Sequence, residues 1–115
     1  MTSGIAYRQG DILIVPFPFS DLRSIKQRPV LVLSKTHYNE ISDDIITCGL
    51  TSNLKDEKHS VLVVNSNLLE GEIPRESRIK VDKLFTIEKS IVKKKIARLN
   101  KETFDKVRVE FQRLV

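Results

Sequence analysis

The residues best suited to chemistry in this chain are an arginine and a pair of hydroxyl residues, each at one end of an apolar segment. Arg28 directly precedes Pro29, and a proline restricts the residue before it to extended conformations. The planar guanidinium group of arginine keeps its charge and matches the geometry of a phosphate. Thr51 and Ser52 close another apolar segment, where a hydroxyl and nearby backbone N–H groups can bind a phosphate oxygen. These groups together indicate chemistry on an anionic substrate.

Other common catalytic signatures are missing from the sequence. The chain has no glycine-rich phosphate loop and no HExxH or CxxC pattern. His37 and His59 lie in polar segments that are typical of surface histidines, and Asp43 and Asp44 indicate a solvated turn. Cys48 is the only cysteine and lies in an apolar stretch, which predicts core packing. Spacing alone also leaves a plainer interpretation of the arginine and the hydroxyl pair, as a surface side chain and as ordinary turn residues.

Composition and charge are those of a folded protein with one basic half. The 115 residues fit a single domain spanning residues 1–115. The apolar runs are too short to cross a membrane and the first residues lack the features of a signal peptide, which predicts a cytoplasmic protein. Residues 72–115 carry a net charge of +6, whereas residues 1–71 carry −1. The basic half favours a polyanionic partner such as nucleic acid or an acidic peptide, with a solvated basic face as the alternative.

The elements that must position the candidate residues are short strands. Apolar runs rich in β-branched residues predict strands at residues 11–17, 29–34, 45–51, 60–65 and 77–82. Residues 84–86 are expected to continue the last of these strands after a kink, and residues 91–99 fit no single pattern. Pro16 and Pro18 predict that the first strand ends there or lies at a sheet edge, because proline cannot donate to the ladder.

The periodicity becomes helical at the end of the chain. Phe104, Val107, Phe111 and Leu114 recur at spacings of three and four, which places them on one helical face. Asn100 is a good N-cap for this helix, because its side chain can accept a bond from a backbone N–H of the first turn. Short strands followed by one amphipathic helix predict a mainly β fold with a C-terminal α-helix, either a small β-barrel or a tight sandwich.

Four stretches of the sequence, in this order and spacing, resemble the MazF/PemK/Kid-type toxins of type II toxin–antitoxin systems. They are a Gly-Asp-Ile strand opening, an Arg-Pro before an apolar strand, a strand ending in Thr-Ser, and a long basic strand before the closing helix. These stretches are residues 9–15, 26–34, 46–52 and 77–87. The resemblance implies an SH3-like small β-barrel, a homodimer, and metal-independent endoribonuclease activity on single-stranded RNA without a cofactor.

The resemblance also implies roles for individual residues. Arg28 matches the catalytic arginine and Thr51 the catalytic threonine, and cleavage by the RNA 2′-hydroxyl would leave a 2′,3′-cyclic phosphate and a 5′-hydroxyl. The substrate-binding residues expected around them are Lys26, Gln27, Ser52, Asn53, Arg78 and Lys80, with Lys83 in the same groove. Many relatives carry a glutamate in the loop between the first two strands, whereas here Asp21 is the only carboxylate in that loop. The general base is therefore either Asp21 or an unaided Arg28.

The implied partners are single-stranded RNA and a cognate antitoxin, with no membrane. An acidic, disordered antitoxin tail would fold onto the basic groove. With five Phe and two Tyr in the chain, base stacking is expected to be limited. The alternative function is a non-catalytic SH3-like module that binds nucleic acid or peptides, and a third is a toxin-like fold that only docks a partner protein. Cleavage of RNA in the presence of EDTA would distinguish the enzyme from both.

Overall fold

A computed structural model describes residues 6–18 and 25–115, and within these ranges the chain forms one antiparallel sheet with two α-helices. The strands are β1 (Asp11–Pro18), β2 (Ile25–Val32), β3 (Asp44–Thr51), β4 (Ser60–Val63), β5 (Leu68–Gly71), β6 (Ser77–Glu88) and β7 (Lys94–Leu99). The helices are α1 (Thr36–Ile41) and α2 (Lys101–Leu114), with single 3₁₀ turns at Asn65–Asn67 and Lys89–Ile91. The mainly β fold with a C-terminal helix is confirmed. Within the described ranges, neither helix is long and apolar enough to cross a membrane.

The sheet is curled, because its two edge strands are close neighbours in the sequence. The strand order is β4-β6-β3-β2-β1-β7-β5, so that β4 and β5 form the two edges. Six strand spacings would separate the edges of a flat sheet by roughly 29 Å. The five residue steps from Val63 to Leu68 reach at most about 18 Å. The short connection therefore requires the curled, half-barrel form, in agreement with the predicted SH3-like barrel.

The central strands are buried on both faces, which explains their continuous apolar runs. Ile12 and Leu31 point into a cluster that α2 covers with its fully buried Val107. The neighbouring residues Leu13 and Val30 point into a second cluster on the other face of the sheet. A strand that is buried on both sides gains nothing from polar residues at alternate positions. The apolar runs of β1 and β2 thus follow from their place in the middle of the sheet.

The prolines of β1 lie where the strand has a neighbour on one side. Pairing of β1 with β7 covers Asp11 to Ile14 and ends there, whereas pairing with β2 continues to Pro18. Pro16 is therefore in a two-stranded ribbon, where its missing N–H leaves no ladder bond unmade. Both predicted outcomes hold in part: β1 ends at Pro18, and after Ile14 its described residues pair with β2 alone.

Several element boundaries differ from those predicted. Strand β2 begins four residues before Pro29, because Ile25 to Arg28 pair with β1. Strand β6 is continuous, and its expected kink is a bulge: Cys48 pairs with Leu84, but the next residue, Gly49, pairs with Lys80. The ambiguous segment contains a 3₁₀ turn followed by β7, and Asn100 does cap α2, accepting a bond from the Thr103 N–H at 2.9 Å.

Candidate active site

The candidate site lies where β2 and β3 stop pairing. Their ladder ends at Val30 and Gly49, although both strands continue beyond these residues. The residue of β2 beyond this last pair is Pro29, which has no N–H to donate to either neighbouring strand. Continuing the same register by two residues places Arg28 opposite Thr51. The Arg-Pro motif thus ends the ladder, and the strand ends beyond it border two cavities, both lined by Arg28 and Pro29.

The first cavity, called here the aromatic cavity, brings together five of the predicted site residues. Its volume is about 350 Å³. Its polar lining residues are Arg28, Thr51, Asn53, Glu57, Lys80 and Lys83. Two phenylalanines, Phe17 of β1 and Phe85 of β6, complete the wall, with ring centroids 4.7 Å apart. The cavity therefore combines cationic groups, a hydroxyl and exposed aromatic surface.

The second cavity, called here the basic cavity, lies on the other side of Arg28 and has a volume of about 390 Å³. It contains the predicted residues Lys26, Gln27 and Ser52. Arg75, from the segment before β6, adds another cation that the sequence analysis did not single out. Among the described residues that line this cavity there is no carboxylate, so its charge is uniformly positive. An anionic chain that passes Arg28 would meet further positive charge here.

Thr51 is held in place by its own turn. Its Oγ1 accepts a bond from the Asn53 N–H at 3.1 Å, and Asn53 Oδ1 accepts one from the Lys55 N–H at 3.1 Å. Side-chain bonds of this kind fix a turn without regular secondary structure. Because Thr51 Oγ1 acts as acceptor within the turn, its own proton remains suited to donation to a phosphate oxygen.

The aromatic cavity also contains a carboxylate that the sequence analysis missed. Glu57 Oε1 accepts a bond from Lys80 Nζ at 2.5 Å. This bond, reinforced by the lysine charge, holds the pKa of Glu57 below its usual range. Glu57 is therefore ionised at neutral pH and partly offsets the positive charge of the cavity. A glutamate in a polar loop gives no pattern that would reveal this pairing, since it depends on how residues 52–59 fold against β6.

Arg78 is not brought to either cavity that Arg28 lines. Its Nε donates to Ser60 Oγ at 2.9 Å and its Nη2 to Asp56 Oδ1 at 3.1 Å. Its guanidinium group therefore holds the loop before β4, and the side chain borders a cavity between β4 and α2. Asp21 lies outside the described residues, so the structure says nothing of its position.

The aspartate of the Gly-Asp opening motif, Asp11, stabilises the sheet and does not line either cavity that Arg28 lines. Asp11 is buried, and its Oδ1 accepts a bond from Arg98 Nε at 2.7 Å, with Lys95 Nζ at 3.5 Å. Its Oδ2 accepts a bond from the Arg8 N–H at 2.8 Å. This network joins the start of β1 to β7. Among the described residues, no three His, Cys, Asp or Glu side chains lie close enough together to hold a metal ion.

Comparison with known proteins gives one family and a consistent set of folds. Residues 8–115 match the model of the PemK-like, MazF-like toxin of type II toxin-antitoxin system. No curated protein sequence matches the chain. A crystal structure of MazE-MazF from Deinococcus radiodurans superposes with a TM-score of 0.77 at 19% identity, covering 96% of each chain. An endoribonuclease in complex with its cognate antitoxin from Mycobacterial species gives 0.75 at 15%, covering 94% of this chain and 93% of the other. The Mycobacterium tuberculosis toxin MazF-mt6 gives 0.73 at 18%, covering 90% and 93%.

Proposed function

Because the chain belongs to the family of PemK-like, MazF-like toxins of type II toxin–antitoxin systems, we propose that it is an endoribonuclease that cleaves single-stranded RNA in the cytoplasm. Solved structures of similar fold include one named as an endoribonuclease in complex with its cognate antitoxin. The observation that carries the proposal is the convergence of Arg28 and Thr51 on one cavity, together with Lys80 and Lys83. All four groups suit a phosphodiester, and RNA supplies its own nucleophile.

The reaction we propose is attack by the RNA 2′-hydroxyl on the adjacent phosphorus. The bond from phosphorus to the 2′-oxygen forms, and the bond to the 5′-oxygen of the next nucleotide breaks. The 2′-hydroxyl proton goes to a base, and the departing 5′-oxygen takes up a proton. The products are a 2′,3′-cyclic phosphate and a 5′-hydroxyl, and no water or metal ion enters the step.

The two catalytic residues act on the charge that this step creates. Negative charge builds on the non-bridging phosphate oxygens, and the guanidinium group of Arg28 neutralises it with two N–H donors in one plane. Thr51 donates its hydroxyl proton to one of the same oxygens. Arg28 is also suited to assist proton transfer at the leaving oxygen. For the base, Asp21 and an unaided Arg28 remain the two candidates from the sequence.

The basic cavity suits the flanking RNA backbone and the antitoxin equally. Lys26 and Arg75 lie beyond Arg28, so a phosphate next to the cleaved one would be bound there without regard to sequence. Gln27 and Ser52 add neutral hydrogen-bonding groups. An acidic, disordered antitoxin segment would compete for the same cations and so block cleavage. We propose that the protein acts as a homodimer.

The decisive experiment is cleavage of a labelled single-stranded RNA in EDTA by the wild type and by Arg28→Ala. The wild type should cut, and the variant should be slower by a factor on the order of 100 or more, since a preorganised donor to the transition state is lost. Arg113→Ala, which changes an arginine 65% exposed on α2, is the matched control and should cut like the wild type. The products should accept a 5′-phosphate from a kinase without prior phosphatase treatment.

Two results would contradict the proposal. One is an Arg28→Ala variant that cleaves at the wild-type rate while retaining its fold. The other is a wild type that binds RNA but cuts only when a metal ion is supplied, because the mechanism above leaves no step for the metal.

A further inference from the structure

The aromatic cavity contains exposed ring surface that the cleavage chemistry does not use. Phe85 lies on β6, and 36% of the residue is exposed even though its ring packs at 58° to that of Phe17. Gly49 lies beneath it, and a β-carbon at that position would come within 3.5 Å of the Phe85 ring. The absence of a side chain at Gly49 therefore leaves this part of the ring uncovered.

The cationic side chains around the Phe85 ring limit the kind of ligand that can bind over it. The ring shares its cavity with Thr51, with the cations Arg28, Lys80 and Lys83, and with the carboxylate of Glu57, which pairs with Lys80. The net charge of these groups is positive, and a purely apolar side chain that covered Phe85 would add no opposite charge. A nucleotide offers both features in one unit, because its base has a flat π face and its backbone is anionic. The cavity volume of about 350 Å³ is of the size that accommodates a small ring system.

We propose that Phe85, supported by Phe17, is a stacking platform for one nucleobase of the RNA next to the cleaved phosphodiester. The proposal rests on the proposed function and adds a subsite to it. It also revises the sequence-based expectation of little stacking: the phenylalanines are few, but two of the five meet in this cavity. Asn53 and Glu57 line the same cavity and offer hydrogen-bonding groups for the edge of the stacked base.

The test compares binding of two oligomers of equal length by the wild type and by variants of Phe85. One oligomer is a mixed-sequence 2′-O-methyl RNA, which has no free 2′-hydroxyl and is not cut. The other is its abasic counterpart, which keeps the phosphates and lacks the bases. Stacking of a base on an aromatic ring is worth roughly 1–3 kcal/mol, which is a factor of about five or more in affinity. Phe85→Leu should therefore bind the base-bearing oligomer at least about fivefold more weakly and the abasic oligomer unchanged.

Phe85→Trp provides a direct readout of stacking. The natural chain contains no tryptophan, so this variant has a single indole at the proposed platform. Its fluorescence should be quenched by the base-bearing oligomer and not by the abasic one, with affinity close to that of the wild type. Leu84→Ala, which removes apolar surface from the preceding residue of β6, outside the aromatic cavity, is the matched control and should leave both affinities unchanged.

Three results would overturn the inference: equal binding by Phe85→Leu and the wild type, equal losses for both oligomers, or an indole that is not quenched. Phe85→Trp also settles whether a loss of binding reflects misfolding, because this variant keeps an aromatic ring and should keep the melting temperature. Cleavage assays separate this inference from the proposed function. An uncleaved RNA with base-dependent quenching would refute the nuclease alone, and normal cleavage without quenching would refute the platform alone.

Discussion

At the residue scale, the site has a built-in negative charge. Lys80 is 16% exposed and already paired with Glu57, which is 48% exposed. An incoming phosphate must therefore share or replace this carboxylate as the partner of the lysine. The charge that RNA meets in the aromatic cavity is accordingly smaller than a count of its cations implies. By pairing with Lys80, Glu57 thus lowers the share of the RNA-binding free energy that comes from ionic contacts with phosphate.

We expect Glu57→Gln to bind uncleavable single-stranded RNA more tightly and with a steeper dependence on salt. Freeing Lys80 for one more phosphate should increase the slope of log affinity against log salt concentration by about 0.7. Because its pairing with Lys80 lowers the pKa of Glu57, the carboxylate is charged at neutral pH; the gain over the wild type should vanish as the pH falls through that pKa. Fluorescence anisotropy at several salt concentrations measures both effects.

The same variant tests whether Glu57 has a chemical role. Cleavage at saturating RNA should be retained, since the carboxylate is assigned to charge and not to proton transfer. A fall in this rate on the order of a hundredfold would instead identify Glu57 as the general base. Glu40→Gln, which changes an exposed carboxylate of α1, is the control and should alter neither binding nor cleavage.

At the scale of elements, edge strand β5 depends on one glycine. Gly71 pairs with Ala97 of β7 and has φ +80, in the left-handed region that favours glycine. A β-carbon here would lie 2.1 Å from the carbonyl oxygen of Ile96, which is closer than real β-carbons come to any atom. Both the backbone angle and the close approach of two strands thus require glycine.

Gly71→Ala should lower the free energy of unfolding by at least about 2 kcal/mol, from left-handed strain plus displacement of β7 backbone. Gly10→Ala separates the two causes: its φ is +95, but the nearest atom of the described residues to its β-carbon would be 3.8 Å away, on Phe104. The second variant should therefore lose only the strain, about 1–2 kcal/mol. Urea denaturation measures both, and equal losses in the two variants would show that the contact with Ile96 is unimportant.

The sequence predicted the elements with strong patterns and missed those that depend on tertiary contacts. The helical spacing of α2 and its Asn100 cap were predicted because both signals are local. Helix α1 has six residues, too few for a clear helical period. Its buried Asn39 donates to the carbonyl oxygens of Tyr7 and Ser34, and both of these residues lie outside the helix. Strand β5 has four residues and two exposed charged or glycine positions, so it has no strand pattern without its partner β7.

The residue types of the candidate site could be proposed from the sequence, but its shape could not. Arg28 and Thr51 stay predicted catalytic residues, and the cavity that both line depends on where the β2–β3 ladder ends. Phe85 was assigned to a strand without a role because the bulge opposite Gly49, which sets the β6 register, is a property of paired strands. Pairing of Arg78 with Asp56 likewise depends on the fold of a loop. Residue types are local information, whereas ion pairs and cavities are not.

At the scale of the whole molecule, Cys48 reports on the stability of the sheet. Its side chain is fully buried in β3. Burial, and then the negative charge of Asp82, raise the pKa of the thiol to about 12. Since the neutral thiol is favoured in the folded state, its contribution to stability is present at neutral pH and is lost as the pH rises above the ordinary thiol value.

Native protein should therefore react with iodoacetamide at pH 8 only through unfolding. The labelling rate should increase with urea in proportion to the unfolded fraction, and fully denatured protein should react at the rate of a free thiol. Mass spectrometry of quenched samples follows the reaction. Rapid labelling in the absence of urea, at the rate of the denatured control, would mean that β3 opens locally and is not protected by the core.

The strand order also determines when, during synthesis, the sheet can finish forming. Strand β1 is made before the other described strands of the sheet, yet one of its two neighbours is β7, which ends at Leu99. The carboxylate of Asp11 has no cationic partner from β7 until Arg98 and Lys95 have emerged. Pairing between segments so distant in sequence is slow compared with helix formation. A nascent chain thus carries Arg28 long before it carries the finished sheet around it, and the order of translation itself delays the appearance of the cavity.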